Sequence, residues 1–312
     1  MFALLFLNAV ARTFEGPALQ SLVPSTVPRA LLMRAVSAHA SAGKMSQLVG
    51  PVLGGLLYGL GAGFDFGLCA LLIAIAGIAS LLLPVPPVPA ERPKVTWATL
   101  IAGLRFIWRQ PTVLGAMSLD LAATLFGGVT ALLPIFAGDI LHIGSWGFGV
   151  LRSAPAVGAL LIATLLSRLP VTRAAGRIAL TAVAVYGIAT IAFGLSVHTT
   201  LSLGALLVIG VSDMLATVIR QSLIQFATPD DMRGRVFAVN TLFVNSAGQL
   251  GMFESGVTAA WFGAVGSVVL GGTAVLLIVA IWAWIFPTLR RVKRPDELAA
   301  DRHLQMKKNG QE

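Results

Sequence analysis

The chain has 312 residues, of which 56% are hydrophobic and only 11% are charged. Soluble domains carry about 25% charged residues, so this composition excludes a soluble globular protein. The net charge of +9 at pH 7 would suit a nucleic-acid partner, but the placement of the basic residues does not. The single cysteine, Cys69, allows no internal disulfide and fits no metal-binding spacing.

Long apolar runs recur along the whole chain, and several approach the length of about 20 residues that a helix needs to cross a bilayer. Hydropathy and helix-breaking residues together predict nine spans. The predicted spans lie near residues 1–23, 35–59, 64–83, 112–140, 146–167, 178–196, 200–226, 236–261 and 264–287. The sequence therefore predicts an all-α membrane protein built as a helical bundle.

The order of the spans predicts four regions. They are a partial N-terminal half with three spans at 1–83, a cytoplasmic linker with a surface helix at 84–111, a six-helix C-terminal half at 112–287 and a basic cytoplasmic tail at 288–312. The linker begins with PVPPVPAERPKVT, a proline-rich stretch that favours an extended chain. WATLIAGLRFIWRQ follows and mixes apolar residues with two arginines, which suits a helix lying on the membrane surface.

The basic residues indicate how the spans are oriented. Of the 22 lysines and arginines, 18 lie on every second connection or in the tail. Those connections are 24–34, 84–111, 168–177 and 227–235, and the four connections that alternate with them contain none. Because short loops rich in Lys and Arg stay cytoplasmic, we predict a multi-pass protein of the cell (inner or plasma) membrane with a cytoplasmic C-terminus. This placement also disfavours nucleic acid as a partner.

A repeated phrase relates the two ends of the chain. QSLVPSTVP at 20–28 returns as QSLIQFATP at 221–229, and further identities follow at the same offset of 201 positions. Weak internal symmetry of this kind is typical of transporters built from two parallel halves. Because Met1 corresponds to Ser202 at this offset, we expect helices equivalent to 4–12 of a six-plus-six fold, without the first three.

Several segments resemble one known family of membrane transporters. VGPVLGG at 49–55 resembles the GPxxGG motif of antiporters in the major facilitator superfamily. TPDDMRGRVFAVN at 228–240 and QLGMFESG at 249–256 resemble its exporter branch, the transmembrane secretion effectors, which includes enterobactin exporters. Met252 departs from this pattern, since many relatives carry an acidic residue there.

The resemblance implies a secondary transporter that exports small molecules by alternating access, coupled to proton antiport. Drug-like and siderophore-like compounds are both expected as cargo classes. The alternative hypothesis is a truncated, non-transporting membrane fragment or scaffold.

Ionisable residues inside spans mark function or pairing, because an unpaired charge is costly in a bilayer. The spans contain Arg12, Glu15, Asp120, Asp213, Arg220 and Glu254. Arg12 and Asp213 are equivalent in the repeat and opposite in charge, so we predict that they approach each other across the cavity between the two halves. Asp213 lies about 20 Å from the outer end of its helix, a depth at which a carboxylate is suited to take up a proton.

Structural interpretations of these residues stay open beside the functional one. Asp213 and Arg220 are seven residues apart on one helix face and can pair with each other. Arg220, Arg12 and Glu15 can instead reach the cytoplasmic interface with their long side chains.

Two other carboxylates and three amides are further candidates. For Asp120 and Glu254 the sequence favours neither a functional nor a structural role. The amides Asn240, Asn245 and Gln249 are candidates to line the cavity or to join helices.

The glycine motif has two interpretations as well. Gly50, Pro51, Gly54 and Gly55 place small surfaces one turn apart, which allows close helix packing, and Pro51 removes a backbone donor. The motif is therefore either a flexing, leak-tight seam of an antiporter or ordinary small-residue packing.

Signals of an enzyme are weak. SAGKMS at 41–46 lacks the upstream glycine and the strand of a phosphate loop, and the four histidines form no metal-binding spacing. We predict a transporter, not an enzyme, with no cofactor or metal. It is expected to be a monomer whose partners are a small-molecule substrate, protons and the lipid bilayer.

Overall fold

The computed structural model describes residues 60–82, 97–168 and 174–292, with isolated positions between residues 42 and 58. The chain forms two compact units, 1–93 and 94–312. In the first unit, the described positions between 42 and 58 are helical. Helix α1, Ala62–Leu81, follows and is long and apolar enough to cross a membrane.

The second unit is a bundle of helices joined by short connections. Its helices are α2 (Trp97–Arg109), α3 (Pro111–Phe126), α4 (Val129–Ile135), α5 (Gly144–Arg168), α6 (Ala175–Gly194), α7 (Thr199–Ala227), α8 (Asp230–Ile285) and α9 (Pro287–Arg291). A π-helical turn, Phe136–Ile140, continues α4. The described part of the chain contains no β-strand.

The predicted all-α membrane fold is confirmed. Among the described residues, six helical segments are long and apolar enough to cross a membrane. The longest of them, in α8, turns at Gly263, whose φ of 74° and ψ of 166° interrupt the helix. Glycine tolerates a positive φ because it has no Cβ. α8 therefore contains two of the predicted spans, 236–261 and 264–287.

The structure does not fully describe two of the nine predicted spans. The span 1–23 lies outside the described residues, and the span 35–59 is described at isolated positions alone. For the remaining seven, the structure has a helix, or part of α8, within a few residues of the predicted position.

The predicted span 112–140 is wrong in one respect, because it is not one continuous helix. α3 ends at Phe126, and Gly127 and Gly128 have non-helical ψ values of 22° and 31° before α4 begins. Pro134 lies inside α4 and removes one backbone donor. The segment therefore contains a break, a proline and a π-turn within its C-terminal half.

Among the described residues, three clusters of buried apolar side chains stabilise the second unit. The first joins α3, α6, α7 and the end of α8 around Leu119, Leu223 and Val275. The second joins α4, α5, α6 and α7, and its rings Phe136 and Phe193 lie with centroids 4.6 Å apart. A third cluster joins α2, α3, α7 and the start of α8.

Small residues allow the helices to approach closely. A Cβ added at Gly158 of α5 would overlap the carbonyl of Leu207, and one added at Gly210 of α7 would overlap the carbonyl of Pro155. α5 and α7 therefore cross backbone to backbone, as small residues allow in membrane bundles.

Candidate functional site

A buried ion pair joins α3 to α7 inside the second unit. Arg220 Nε lies 3.1 Å from Asp120 Oδ2, and the two side chains are 6% and 11% exposed. Removing one partner of such a pair leaves an uncompensated buried charge. The pair therefore fixes α3 and α7 against each other for as long as both groups are charged.

Asn240 extends the pair to a third helix. Arg220 Nη1 donates a hydrogen bond of 2.6 Å to Asn240 Oδ1, and Asn240 is itself buried in α8. Arginine suits this position because its guanidinium offers five donors in a fixed plane. We call Asp120, Arg220 and Asn240 the charge network, which connects α3, α7 and α8.

A small polar cavity lies on one side of the charge network. It is lined by Asp120, Thr124, Tyr186, Ser212 and Asp213, together with three apolar residues. Its volume of about 20 Å³ is enough for one water molecule. Two carboxylates from α3 and α7 thus share one water-sized space.

The other side of the charge network is apolar. A cavity of about 10 Å³ there is lined by Asp120 and Arg220 and otherwise by alanine, leucine and valine side chains. A space of that size is at the lower limit for a water molecule, and a bound water also needs polar partners. The two spaces beside the ion pair therefore differ in how many polar residues line them.

Tyr186 links the polar cavity to the break between α3 and α4. Its hydroxyl donates a hydrogen bond of 2.8 Å to the carbonyl oxygen of Gly127. Its side chain also lines the polar cavity. The tyrosine therefore stabilises the broken backbone and borders the space next to Asp120 and Asp213.

Arg152 stabilises a second irregular position in the same segment. Pro134 has no N–H to donate to the carbonyl of Thr130, four residues earlier. Arg152 Nη1 of α5 donates to that carbonyl oxygen at 3.2 Å. The cation thus replaces the backbone donor that the proline lacks.

Part of α8 packs against the break at very close range. A Cβ added at Gly251 would lie 2.6 Å from the carbonyl oxygen of Thr124 and 2.8 Å from that of Leu125. A Cβ added at Gly128 would overlap Ser255 Oγ. On the side of α8 the break therefore has little room to change while α8 stays in place.

The structure brings together three of the predicted site residues, Asp120, Arg220 and Asn240, and places Asp213 at the adjacent cavity. The hypothesis that Arg220 reaches the cytoplasmic interface is wrong, because Arg220 is 5% exposed and bonded inside the bundle. Of the two roles proposed for Asn240, it joins helices.

Other predicted residues lie elsewhere. Arg12 and Glu15 are outside the described residues, so their approach to Asp213 stays a prediction. On α8, Asn245 and Gln249 are exposed and Glu254 is half-buried.

The glycine motif is described in part. Gly50, Pro51, Gly54 and Gly55 are helical, and Gly55 is buried. A Cβ added at Gly50 or Gly54 would meet no atom within 4 Å among those described. The seam hypothesis therefore remains a prediction.

Neither Tyr186 nor Arg152 was a candidate from the sequence. The signals available were the Gly127-Gly128 pair and Pro134 inside an apolar run, which indicate backbone groups in need of partners. The sequence does not indicate which side chains supply those partners. Within the described residues, no group of three or more His, Cys, Asp or Glu side chains could hold a metal ion.

The helices and the buried charges define a multi-pass helical membrane protein with a polar network in its interior. The sequence model of the Major Facilitator Superfamily matches residues 1–252. The chain belongs to the Major Facilitator Superfamily, and it is therefore a membrane transporter and not an enzyme.

Curated relatives are similar over most of the chain. Enterobactin exporter EntS of Escherichia coli O157:H7 (strain EC4115 / EHEC) is 27% identical over 290 residues, which is 91% of this chain and 69% of the relative. The EntS proteins of Shigella boydii serotype 18 and Escherichia fergusonii match with the same identity and coverage.

A solved structure supports the fold. A bacterial homolog of the human lysosomal transporter Spinster superposes with a TM-score of 0.58 at 14% identity, covering 91% of this chain and 75% of that one. At this identity the likeness concerns the fold alone.

Proposed function

We propose that this protein is a secondary exporter of small molecules that is driven by proton entry. Support comes from its membership in the superfamily and from the relatives named as enterobactin exporters. The proposed cargo is a small, amphipathic, drug-like or siderophore-like compound, and an identity of 27% does not choose between these classes. The placement of basic residues supports a cytoplasmic C-terminus.

The observation that carries the coupling proposal is the charge network beside the water-sized cavity. Asp120 is held by Arg220, while Asp213 lines the same cavity on α7. A proton that entered this cavity and bound Asp120 would remove its charge and weaken its bond to Arg220. Proton binding would then favour a different arrangement of α3 and α7.

Such a preference for one arrangement is what coupling requires. A ligand shifts an equilibrium between two states only by its differential affinity for them. In this proposal the proton binds more tightly to the state in which the ion pair between Asp120 and Arg220 is open. The cargo is released from the state in which this ion pair is closed. Alternating access then follows from the two arrangements of the bundle.

The break between α3 and α4 supplies a place where the bundle can bend. Hinges are a few residues that absorb a change in backbone angles, and Gly127 and Gly128 already depart from helical geometry. Tyr186 bonds Gly127 and lines the cavity that Asp120 and Asp213 also line, so in this proposal it transmits a change at the carboxylates to the hinge.

The test is transport by the purified full chain in proteoliposomes. Enterobactin and a fluorescent cationic drug are offered as separate probes, and flux is measured with an imposed pH gradient. Flux that disappears when an ionophore collapses the gradient supports proton coupling. Flux that persists unchanged removes the proton part. No flux of either probe by a folded protein favours the scaffold hypothesis.

A further inference from the structure

Helix α2 is fixed at the level where two membrane spans begin. It ends at Arg109, Gln110 is extended, and the spanning segment that contains α3 starts at Pro111. On its other side, a Cβ added at Gly103 would lie 2.9 Å from the carbonyl oxygen of Arg235, next to the start of the span in α8. The chain connection to α3 and the packing of Gly103 against α8 therefore both hold α2 at the boundary between lipid and water.

One face of α2 is buried against the bundle. Ile107 is 2% exposed and packs in a cluster with Val113, Val236 and Val239. With 13 residues, α2 is about 20 Å long, which is too short to cross a bilayer. It is a peripheral helix of the unit, held by its inner face.

The opposite face of α2 carries an exposed apolar stripe with arginines at one side. Ile101, Leu104 and Trp108 are 52%, 36% and 67% exposed, and their spacing of three and four residues places them on one face. Arg105 and Arg109, also exposed, are four residues apart and lie along the flank of the stripe.

We infer that this face of α2 binds anionic phospholipid headgroups. Ile101, Leu104 and Trp108 enter the boundary between headgroups and acyl chains, where an amphipathic helix with Trp and Leu on its apolar face is stable. Arg105 and Arg109 extend along the surface and bond the phosphates, which arginine contacts with two parallel N–H groups.

The charge pattern favours lipid over a second copy of the chain. A two-fold contact would place the same face of each copy against the other. Arg105 and Arg109 would then share one contact with the same two arginines of the other copy, and like charges repel. An anionic leaflet instead attracts basic residues near its surface, and the depth of α2 places both arginines within reach of it.

The test uses Trp108 as a local probe in the full chain. The protein is reconstituted in bilayers that contain a minor fraction of brominated phosphatidylglycerol or brominated phosphatidylcholine. The quenching of Trp108 is the difference between wild type and Trp108→Phe, because the chain has six tryptophans. We expect preferential quenching by phosphatidylglycerol, by a factor of about five for each arginine at low salt.

Two variants separate the arginines of α2 from other charges. In Arg105→Gln/Arg109→Gln the preference for phosphatidylglycerol should fall to about one, while quenching by phosphatidylcholine remains. Arg177→Gln, at an exposed arginine in the first turn of α6, should keep the wild-type preference. Both variants are first checked for wild-type elution in size-exclusion chromatography.

Each other outcome overturns the inference. Equal quenching by the two lipids in wild type would mean that the face has no selectivity for anionic headgroups. Quenching by aqueous iodide but by neither lipid would place the face in water. Protection from all three quenchers would mean that protein covers it. None of these results depends on transport.

Discussion

Tyr186 donates its hydroxyl hydrogen to the carbonyl oxygen of Gly127 at 2.8 Å, and the same side chain lines the cavity shared by Asp120 and Asp213. Replacing it by Phe keeps the ring and removes this one bond. We expect Tyr186→Phe to lower the free energy of unfolding by about 1–3 kcal/mol, since a buried carbonyl loses a partner. It should also slow pH-driven flux by a larger factor than it lowers the expression level.

The chain provides a matched control for that variant. It has two tyrosines, and the other, Tyr58, is half exposed. Tyr58→Phe should leave both the melting temperature in detergent and the flux unchanged. Equal behaviour of the two variants would contradict the role given to Tyr186.

The buried ion pair predicts a rescue of stability without a rescue of transport. Arg220→Met alone leaves Asp120 buried without its cation, which should lower stability by about 3–5 kcal/mol. Asp120→Leu/Arg220→Met replaces both charges by apolar groups and should recover most of that loss. If the charge network couples transport to protons, the double variant folds and has no pH-driven flux.

Thermal unfolding and proteoliposome flux measure the two effects separately. A double variant as unstable as Arg220→Met would mean that the loss does not come from an unpaired charge. A double variant that transports normally would mean that the charge network has only a structural role.

The close approach at Gly251 predicts a position-specific effect of one methyl group. Gly251→Ala brings a Cβ within 2.6 Å of the Thr124 carbonyl oxygen, and such overpacking costs about 1–3 kcal/mol. Gly256→Ala on the same helix meets no atom within 4 Å of those described. It should be neutral or slightly stabilising, because alanine favours helix more than glycine. Melting temperatures of the two variants should differ by several degrees, and equal values would disprove the close contact.

The contact between Arg152 and Thr130 predicts an energetic coupling to Pro134. Arg152→Met leaves the Thr130 carbonyl without a donor, at a cost of about 1 kcal/mol. In Pro134→Ala, residue 134 regains its N–H, so the same Arg152 change should cost little. A double-mutant cycle on unfolding should give a coupling of about 1 kcal/mol. Equal costs in both backgrounds would show that Arg152 does not replace the missing donor.

Arg12 and Asp213 carry the prediction that comes from the repeat. If the two groups pair across the cavity in one state, the exchange Arg12→Asp/Asp213→Arg should recover part of the flux that each single change removes. Flux in the single and double variants measures this. Loss of the same size in all three would leave the repeat equivalence without a functional meaning.

The sequence predicted the spans well and the break poorly, for one physical reason. Hydropathy measures how well a segment suits lipid, and the stretch from Pro111 to Ile140 is apolar throughout. The break at Gly127 is tolerated because Tyr186, 59 positions away, supplies a hydrogen bond. A contact so distant in the chain leaves no periodic signal.

The charged residues of the charge network were singled out as candidates from the sequence, but the contact between Asp120 and Arg220 was not predicted. The cost of charge in a bilayer singled out Asp120, Asp213 and Arg220 from the sequence. Helical spacing made Asp213 one possible partner of Arg220, and the structure shows Arg220 paired with Asp120. The choice depends on how α3 packs against α7, which the spacing within α7 does not contain.

Substrate exchange by Asp213→Asn and Asp120→Asn tests the central claim of proton-coupled export most directly. The full chain is reconstituted with equal substrate inside and outside, and exchange of labelled substrate is compared with accumulation driven by a pH gradient. We predict that at least one variant keeps exchange, which needs no proton, and loses accumulation. Gradient-driven accumulation at the wild-type level in both variants would contradict a coupling site at these carboxylates.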